Sequence, residues 1–429
     1  MRWKNWAESV TLDPRKIYRP ASLPELQSAV KDAKEHGYQI RTVGSGHAWS
    51  QLGLGDSGAI LETDRLDKPL SNNNDGTVTV QGGITIVELN KWLYENDLAL
   101  PNMGDTDRQA IAGAVATDTH GSGAGFGSLS ELVRGMSVVL ADGELRELDD
   151  AELRAGRVSL GRLGVVYSLT LDVVPKYFLR HERRVVKLRE EKEHLEQLIE
   201  DNRNIEYWLY PLTPYAERLI RNEIPSANEQ LFRYYFRNIV SRLGARLSVW
   251  KGRNRPESLP EWFNSQIPNL GPDVREGPAH RILPLVANTT VDSIKTLTME
   301  YQFSLSKFWE AFDLLEESFE VAREKGVYIC LPVHIRFTKK SSKSILSHHV
   351  HDPTVSFSCN FSPTYAGAHT WLPYLERGLL ELGARAHWGK IYYTEPAIAD
   401  GFEDIRQRLD PTSVFNAKQP PYTPADDAF

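Results

Sequence analysis

The sequence is poor in cysteine, with only Cys330 and Cys359 among 429 residues. Both lie in apolar, strand-like stretches, VYICLP and VSFSCNF, and are expected to be buried free thiols. So few cysteines support neither a disulfide framework nor a metal site built from cysteine ligands.

Long apolar runs and an excess of positive charge are also lacking. No run of about eighteen apolar residues occurs, and the first residues, MRWKNWAESV, lack the apolar region of a signal peptide. The formal net charge is −7 at pH 7, whereas binding to nucleic acid or an anionic membrane needs a basic surface. A cytoplasmic protein with no transmembrane segment and no nucleic-acid partner is therefore expected.

The length of 429 residues favours two or more domains, and the composition, with 41% hydrophobic and 25% charged residues, is typical of globular proteins. SLPELQSAVKDAKEHG predicts a helix with Ser22 as N-cap, Glu25 three residues later and Gly37 at its end. Alternating Val78 and Val80 predict a strand, followed by a glycine turn and a helix.

Two glycine-rich loops contain a histidine each: RTVGSGHAWSQL with His47, and ATDTHGSGAGFG with His120. Glycines let backbone amides approach an anion closely, so the loops suit a diphosphate, although two irregular turns would look the same. Neither a dinucleotide fingerprint nor a P-loop is present, so neither a nicotinamide cofactor nor a nucleoside triphosphate is indicated.

Segments along nearly the whole chain resemble the vanillyl-alcohol-oxidase superfamily, in order and spacing. They are VGSGHAWSQ, VQGGITIVELNKWL, IAGAVATDTHGSG, LGRLGVVYSLTLDVVP, EYWLYPLTPY, MEYQFSLSKFWEAF, HWGK and RLDPTSVFNAKQ. Within it, the sequence is most similar to the aldonolactone oxidoreductases and alditol oxidases. The resemblance implies an α+β flavoenzyme with a PCMH-type FAD-binding domain over 1–177, a cap domain over 178–380 and a C-terminal return over 381–429. The cap is expected to contain an antiparallel sheet flanked by helices.

FAD is the cofactor that the resemblance implies, and His47 falls on the family's covalently flavinylated histidine. Non-covalent FAD, or a plain loop histidine, is the alternative. The residues further expected to bind FAD are Val43, Gly44, Ser45, Gly46, Ala48, Trp49, Ser50, Thr117, Asp118, Thr119, His120, Gly121, Ser122, Gly161, Gly164 and Val166. His120 could instead hold the loop backbone by hydrogen bonds.

The family's catalytic Glu-x-Arg pair and its HWGK lysine correspond here to His334-Ile335-Arg336 and Lys390. Alternation along a strand puts His334 and Arg336 on one face. Arg336 and Lys390 retain the family's positive charges. His334 replaces the family's glutamate; it is expected to act as a neutral base or to orient the substrate, or else to be a strand histidine bonded to a neighbour.

The implied reaction is oxidation of an alcohol carbon in a sugar, aldonolactone or alditol, with hydride transfer to the flavin. O2 then reoxidises the flavin and is reduced to H2O2. Asp118 stands where many relatives have glycine; it could hinder oxygen, bind substrate hydroxyls or merely cap its loop. The rivals are a dehydrogenase using a quinone, cytochrome or other acceptor, a non-catalytic flavin- or sugar-binding protein, and a nicotinamide-fed reductase.

Histidines also cluster at His348, His349 and His351, shortly before Pro353. Adjacent histidines on a turn are expected to diverge, and no metal site is predicted.

Overall fold

The computed structural model describes residues 2–50, 58–227, 243–244, 246–284, 296–361, 368–416 and 420–422. The strands in chain order are β1 (Trp3–Lys4), β2 (Thr11–Leu12), β3 (Lys16–Tyr18), β4 (Gln39–Val43), β5 (Gly58–Glu62), β6 (Pro69–Asn72), β7 (Thr77–Gln81), β8 (Leu98–Ala99), β9 (Val133–Val139), β10 (Leu145–Glu147), β11 (Val165–Asp172), β12 (Val174–Pro175), β13 (Phe178–Lys187), β14 (Asn204–Leu209), β15 (Tyr215–Ile224), β16 (Asp273–Pro278), β17 (Leu297–Ser304), β18 (Val333–Thr338), β19 (Thr354–Phe361) and β20 (Arg385–Ala386).

The helices are α1 (Leu23–Glu35), α2 (Ile86–Glu95), α3 (Ile111–Ala116), α4 (Asp150–Gly156), α5 (Leu195–Asp201), α6 (Leu259–Gln266), α7 (Ala279–Ile282), α8 (Phe308–Glu324), α9 (Ala368–Glu381) and α10 (Asp400–Leu409). Residues 246–254 are also helical. Short 3-10 helices cover Leu129–Leu132, Leu188–His194, Pro256–Ser258, Ile267–Asn269 and Leu305–Lys307.

Local signals place the first helix and turns where the sequence predicts them. The Ser22 hydroxyl accepts a hydrogen bond from the Glu25 amide, which caps α1, and Gly37 has a φ of +67° just beyond its end. Strand β7 is followed by a turn at Gly82-Gly83 and then by α2. Gly83 is required there because a Cβ would collide with the Thr63 carbonyl.

The N-terminal part of the chain forms two small sheets covered by helices. A parallel sheet of order β3-β5-β4 shares a buried core with α1. An antiparallel sheet of order β10-β9-β11-β7-β6 packs with α2, α3 and α4. The C-terminal segment returns to this part, where the Ile40 amide donates to the Val414 carbonyl over 2.7 Å.

The middle of the chain forms one antiparallel sheet of eight strands, in the order β16-β13-β15-β14-β18-β19-β17-β20. Alternation along its central strands gives the sheet two unlike faces. Ile335, Phe337 and Phe357 pack with α8 and α9 in one apolar core. His334, Arg336 and Ser358 lie on the opposite face. The predicted α+β architecture, with an antiparallel sheet flanked by helices, is confirmed, and Cys330 and Cys359 are buried free thiols as expected.

No helix among the described residues is both long and apolar enough to cross a bilayer.

Buried histidines lie where the second glycine loop meets the large sheet. The rings of His348 and His349 are 4.4 Å apart, and His349 is 4.5 Å from the ring of His120. The expectation that the adjacent histidines diverge is therefore wrong. Burial lowers the pKa of His348 to about 4 and that of His349 to about 3.

Because His348 is buried, we expect the protein to lose stability in acid. The substitution His348→Gln should reduce this loss. The unfolded chain binds a proton at His348 near pH 6.5 and the folded chain only near pH 4. The free energy of unfolding therefore falls as the pH drops between these values, by up to about 3 kcal/mol for this residue. We expect the thermal midpoint of His348→Gln to fall less steeply from pH 7 to pH 4.5 than that of the wild type. His194→Gln, at an exposed position, is the control. An equally steep fall in both variants would contradict the prediction.

Candidate functional site

A cavity lies between the two glycine-rich loops and the polar face of the large sheet. Its wall is formed by the loop after β4, by α3 and the loop that follows it, by residues 159–166, and by strands β14, β18 and β19. The HWGK loop completes it with His387, Gly389 and Lys390. The cavity thus collects both groups of residues that the sequence singles out, those for FAD and those for catalysis.

Most residues predicted to bind FAD lie in this wall: Val43, Gly44, Ser45, Gly46, His47, Ala48, Trp49, Thr117, Thr119, His120, Gly161, Gly164 and Val166. Gly113 and Gly161 border open space, since a Cβ added at either would meet no atom within 4 Å, and a ligand can therefore approach the backbone there. Arg41, which the sequence analysis missed, also lies in the wall; burial lowers its pKa only to about 10, so it stays cationic. Backbone amides, hydroxyls and a buried cation fit the diphosphate of FAD.

Four of the predicted FAD residues lie outside the wall: Ser50, Asp118, Gly121 and Ser122. A Cβ at Gly121 would collide with the Met103 carbonyl, so this glycine allows two backbone segments to approach. Ser122 donates its hydroxyl to the Ile205 carbonyl and so links the loop to β14. Ser122 thus holds the loop against the large sheet.

Asp118 is completely buried and has a left-handed backbone with φ of +60°. Its carboxylate accepts hydrogen bonds from the hydroxyls of Ser128, Ser130 and Ser347, the last two over 2.6 Å. Of the roles considered from the sequence, this geometry matches the capping of the loop, and the side chain lies away from the cavity that oxygen and substrate would enter.

His47 is held in place by the N-terminal segment. Its ring stacks on Trp6 at 5.2 Å between centroids, and the Trp6 amide donates to the Gly46 carbonyl over 2.9 Å. The Asn5 side chain donates to the Ala48 carbonyl over 3.0 Å. The loop is therefore fixed on both sides of a histidine that faces the cavity.

Glu300 on β17 is the buried centre of the charged network beside the cavity. It has no solvent exposure, and one Arg336 guanidinium nitrogen donates to both its oxygens, at 2.9 and 2.8 Å. The Ser358 hydroxyl donates to it over 2.6 Å, and His120 Nε2 lies 2.6 Å away. Burial alone would raise the pKa of Glu300, but Arg336 and His120 hold it well below its ordinary value. Glu300 is therefore an anion that fixes Arg336.

His120 has two hydrogen-bond contacts, as Nδ1 lies 2.9 Å from the Gly121 carbonyl while Nε2 contacts Glu300. Its contact with Gly121 matches the expectation that it holds the loop backbone, and its ring also lines the cavity, while FAD binding by His120 stays a prediction. The groups close enough to share a metal ion are His120 with His348 and His349, His120 with Glu300 and His387, and Asp105 with Glu206 and His334. Because both ring nitrogens of His120 already have contacts, a metal ion bound by either of the first two groups would have to displace one of them.

His334 lies between two carboxylates. Its Nδ1 is 3.2 Å from Asp105 Oδ2, its Nε2 is 3.4 Å from Glu206 Oε2, and its ring stacks on Trp208 at 4.1 Å. Burial alone would lower the pKa of His334, but the two carboxylates raise it above its ordinary value. The structure therefore favours an imidazolium, not the neutral base expected from the sequence.

Lys390 faces the cavity beside the first glycine loop. Its ammonium lies 4.0 Å from the centre of the Trp49 ring and 4.0 Å from Glu300 Oε2. Burial lowers the pKa of Lys390 to about 8, against the opposing attraction of Glu300. The group can therefore change its charge close to neutral pH.

Sequence reasoning missed the three carboxylates Asp105, Glu206 and Glu300. Glu206 and Glu300 are the single charges within the otherwise uncharged strand segments IEYWL and MEYQF, and a charge at such a position needs a buried partner. That signal was available in the sequence. Asp105 lies in the loop PNMGDTDRQ, where an aspartate is unremarkable, and only the folded chain brings it to the cavity.

Comparison with known proteins agrees with this geometry. Residues 14–149 match a family model described as FAD binding domain, and residues 169–422 match one described as D-arabinono-1,4-lactone oxidase. The chain is 29% identical to L-gulono-1,4-lactone dehydrogenase of Mycobacterium tuberculosis, covering 96% of each sequence. It is 24% identical to L-gulonolactone oxidase of Mus musculus, covering 97% of this chain and 96% of that protein.

Among solved structures, a solvent-stable cholesterol oxidase superposes with a TM-score of 0.78 at 18% identity, over 96% of this chain and 95% of that one. At this identity the likeness establishes the shared fold. The two family matches identify an FAD-dependent oxidoreductase, and the chain belongs to the D-arabinono-1,4-lactone oxidase family.

Proposed function

We propose that the protein oxidises a hydroxyl-bearing carbon of a sugar-derived lactone, with FAD bound along the two glycine loops. The observation that carries the proposal is the row of Glu300, Arg336 and Lys390 beside a glycine-lined cavity. The names of relatives that match over the whole chain support an aldonolactone as substrate.

The cavity supplies the charges that alcohol oxidation needs. FAD, when bound, supplies a hydride acceptor. Arg336, fixed by Glu300, and Lys390 would hold the substrate hydroxyl and stabilise the negative charge that develops on its oxygen. Their positions are set by buried contacts, so little reorganisation is needed when substrate binds.

Two electron acceptors remain candidates on this scaffold. Reoxidation by O2 with release of H2O2 is the first, and a relative of that kind is the L-gulonolactone oxidase of Mus musculus. A dehydrogenase that uses another acceptor is the second, and it is favoured by the similarity to the Mycobacterium tuberculosis dehydrogenase. The two are distinguished by measuring the peroxide formed per lactone consumed, once in air and once with an artificial dye as the electron acceptor.

The substrate proposal predicts that a lactone reduces the bound flavin. Under anaerobic conditions, L-gulono-1,4-lactone or D-arabinono-1,4-lactone should bleach the oxidised flavin absorbance of the purified protein, as measured by stopped-flow spectroscopy. NADPH serves as the comparison. Bleaching by NADPH and by neither lactone would contradict the proposal and support a nicotinamide-fed reductase.

We further propose that His47 carries FAD covalently, which its place in the cavity wall and its fixed loop support. After denaturing electrophoresis and acid treatment, flavin fluorescence should stay with the wild-type band and disappear from His47→Ala. His36→Ala, at an exposed position outside the cavity, should retain it. A wild-type band without fluorescence would show that FAD, if bound, is not covalently attached.

The role of Lys390 as a cation predicts a pH dependence. Because its pKa is lowered to about 8, the charged form is lost as the pH rises through 8, and kcat/KM should fall there. Lys390→Arg stays charged and should lose this fall, whereas Lys390→Met should reduce kcat/KM about 100-fold below pH 8, with a smaller difference from the wild type above it. A rise in wild-type kcat/KM through pH 8 would instead show that the neutral amine is the active form.

A further inference from the structure

We propose that Asp105 binds a hydroxyl group of the substrate and that His334 serves to position Asp105. This inference rests on the proposed lactone oxidation and names a specificity-determining contact for it. Asp105, in a loop of the N-terminal part, would then contact the substrate in place of His334 on the large sheet.

Asp105 is the one carboxylate among the described residues that line the cavity. Its side chain is 28% exposed, whereas those of Glu206 and Glu300 are 2% and 0% exposed. The other two carboxylates are thus enclosed by protein, and Asp105 alone of the three can reach a molecule in the cavity.

The contacts of Asp105 fix one oxygen and leave the other available. Its Oδ2 lies 3.2 Å from His334 Nδ1 and 3.5 Å from an Arg336 nitrogen. Across the described ranges, no protein group is hydrogen-bonded to Oδ1. A carboxylate held by one oxygen presents the second at a defined place, as a specific substrate contact requires.

The chemistry of this oxygen limits what it can bind. Burial alone would raise the pKa of Asp105, but His334 and Arg336 lower it, so the group is an anion at neutral pH. An ionised carboxylate only accepts hydrogen bonds, so its partner must be a donor such as a ring or side-chain hydroxyl.

His334 is better placed to serve Asp105 than the substrate. Both of its ring nitrogens face carboxylates, Asp105 on one side and Glu206 on the other, and Glu206 in turn accepts a 2.8 Å hydrogen bond from Arg221. The chain Arg221, Glu206, His334, Asp105 therefore alternates positive and negative groups from the sheet to the cavity. The imidazolium holds the final carboxylate in its charged form and orientation.

The test uses the FAD-loaded enzyme with Asp105→Asn, and Asp107→Asn in the same loop as the matched control, since Asp107 lies outside the cavity wall. For the lactone that reduces the wild type, kcat/KM of Asp105→Asn should fall about 10- to 100-fold, the usual effect of losing a charged hydrogen bond. Its FAD content and visible spectrum should match the wild type, and Asp107→Asn should keep wild-type kinetics.

Analogues of that lactone, each of which lacks one hydroxyl, distinguish a substrate contact from a structural effect. For the analogue missing the hydroxyl that Asp105 binds, the wild type and Asp105→Asn should have similar kcat/KM, while the other analogues should keep the 10- to 100-fold difference. Equal loss for every analogue, or no loss for the parent lactone, would overturn the proposal. A wild-type flavin that no lactone reduces would instead refute the proposed function itself.

The positioning role of His334 has a separate readout. His334→Gln can still donate to Asp105 but carries no charge, so the pKa of Asp105 should rise and the acid limb of kcat/KM should move to higher pH. A lower kcat/KM with an unchanged pH profile would show that His334 does not act through Asp105.

Discussion

A fully buried carboxylate, Glu300, is the constraint on which the charged side of the cavity depends. An ionised carboxylate in a protein interior is stable only when cations and hydrogen-bond donors compensate it. Here the charge of Glu300 is compensated by Arg336 on β18, His120 on a glycine loop and Ser358 on β19, and Lys390 lies close by. Because these groups come from separate parts of the chain, the charge requirement of one residue joins the N-terminal loops, the large sheet and the HWGK loop.

The alternation of the large sheet makes this arrangement possible. On β18 the side chains of Ile335 and Phe337 pack with α8 and α9, which leaves His334 and Arg336 on the face toward the cavity. Register then aligns partners across strands, with Glu206 opposite Arg336 and Ser358 opposite both His334 and Glu300. The same strands thus provide both the apolar core of the large sheet and the polar row of the site.

The parts of the structure that the sequence predicted are those governed by local rules. The cap of α1, the turn between β7 and α2, and the shared face of His334 and Arg336 follow from spacing over a few residues. The environment of each side chain depends on contacts between residues that are far apart in the sequence, so the sequence predicted it less well. Asp118 meets the serine hydroxyl of Ser347, 229 residues away in sequence, and so lies away from the cavity.

Long-range pairing likewise explains why the charge state of His334 could not be inferred from its strand. Glu206 is brought beside it by the pairing of β14 with β18, and Asp105 by the docking of an N-terminal loop. Two neighbouring carboxylates stabilise the cationic form of an imidazole, and in that form it cannot act as a base. Although a histidine stands at this position of β18, the cavity wall still contains a carboxylate beside it, because Asp105 lies 3.2 Å from His334 Nδ1. Its dependence on His334 and Arg336 means that this carboxylate is correctly placed only when the loop and the large sheet are docked together.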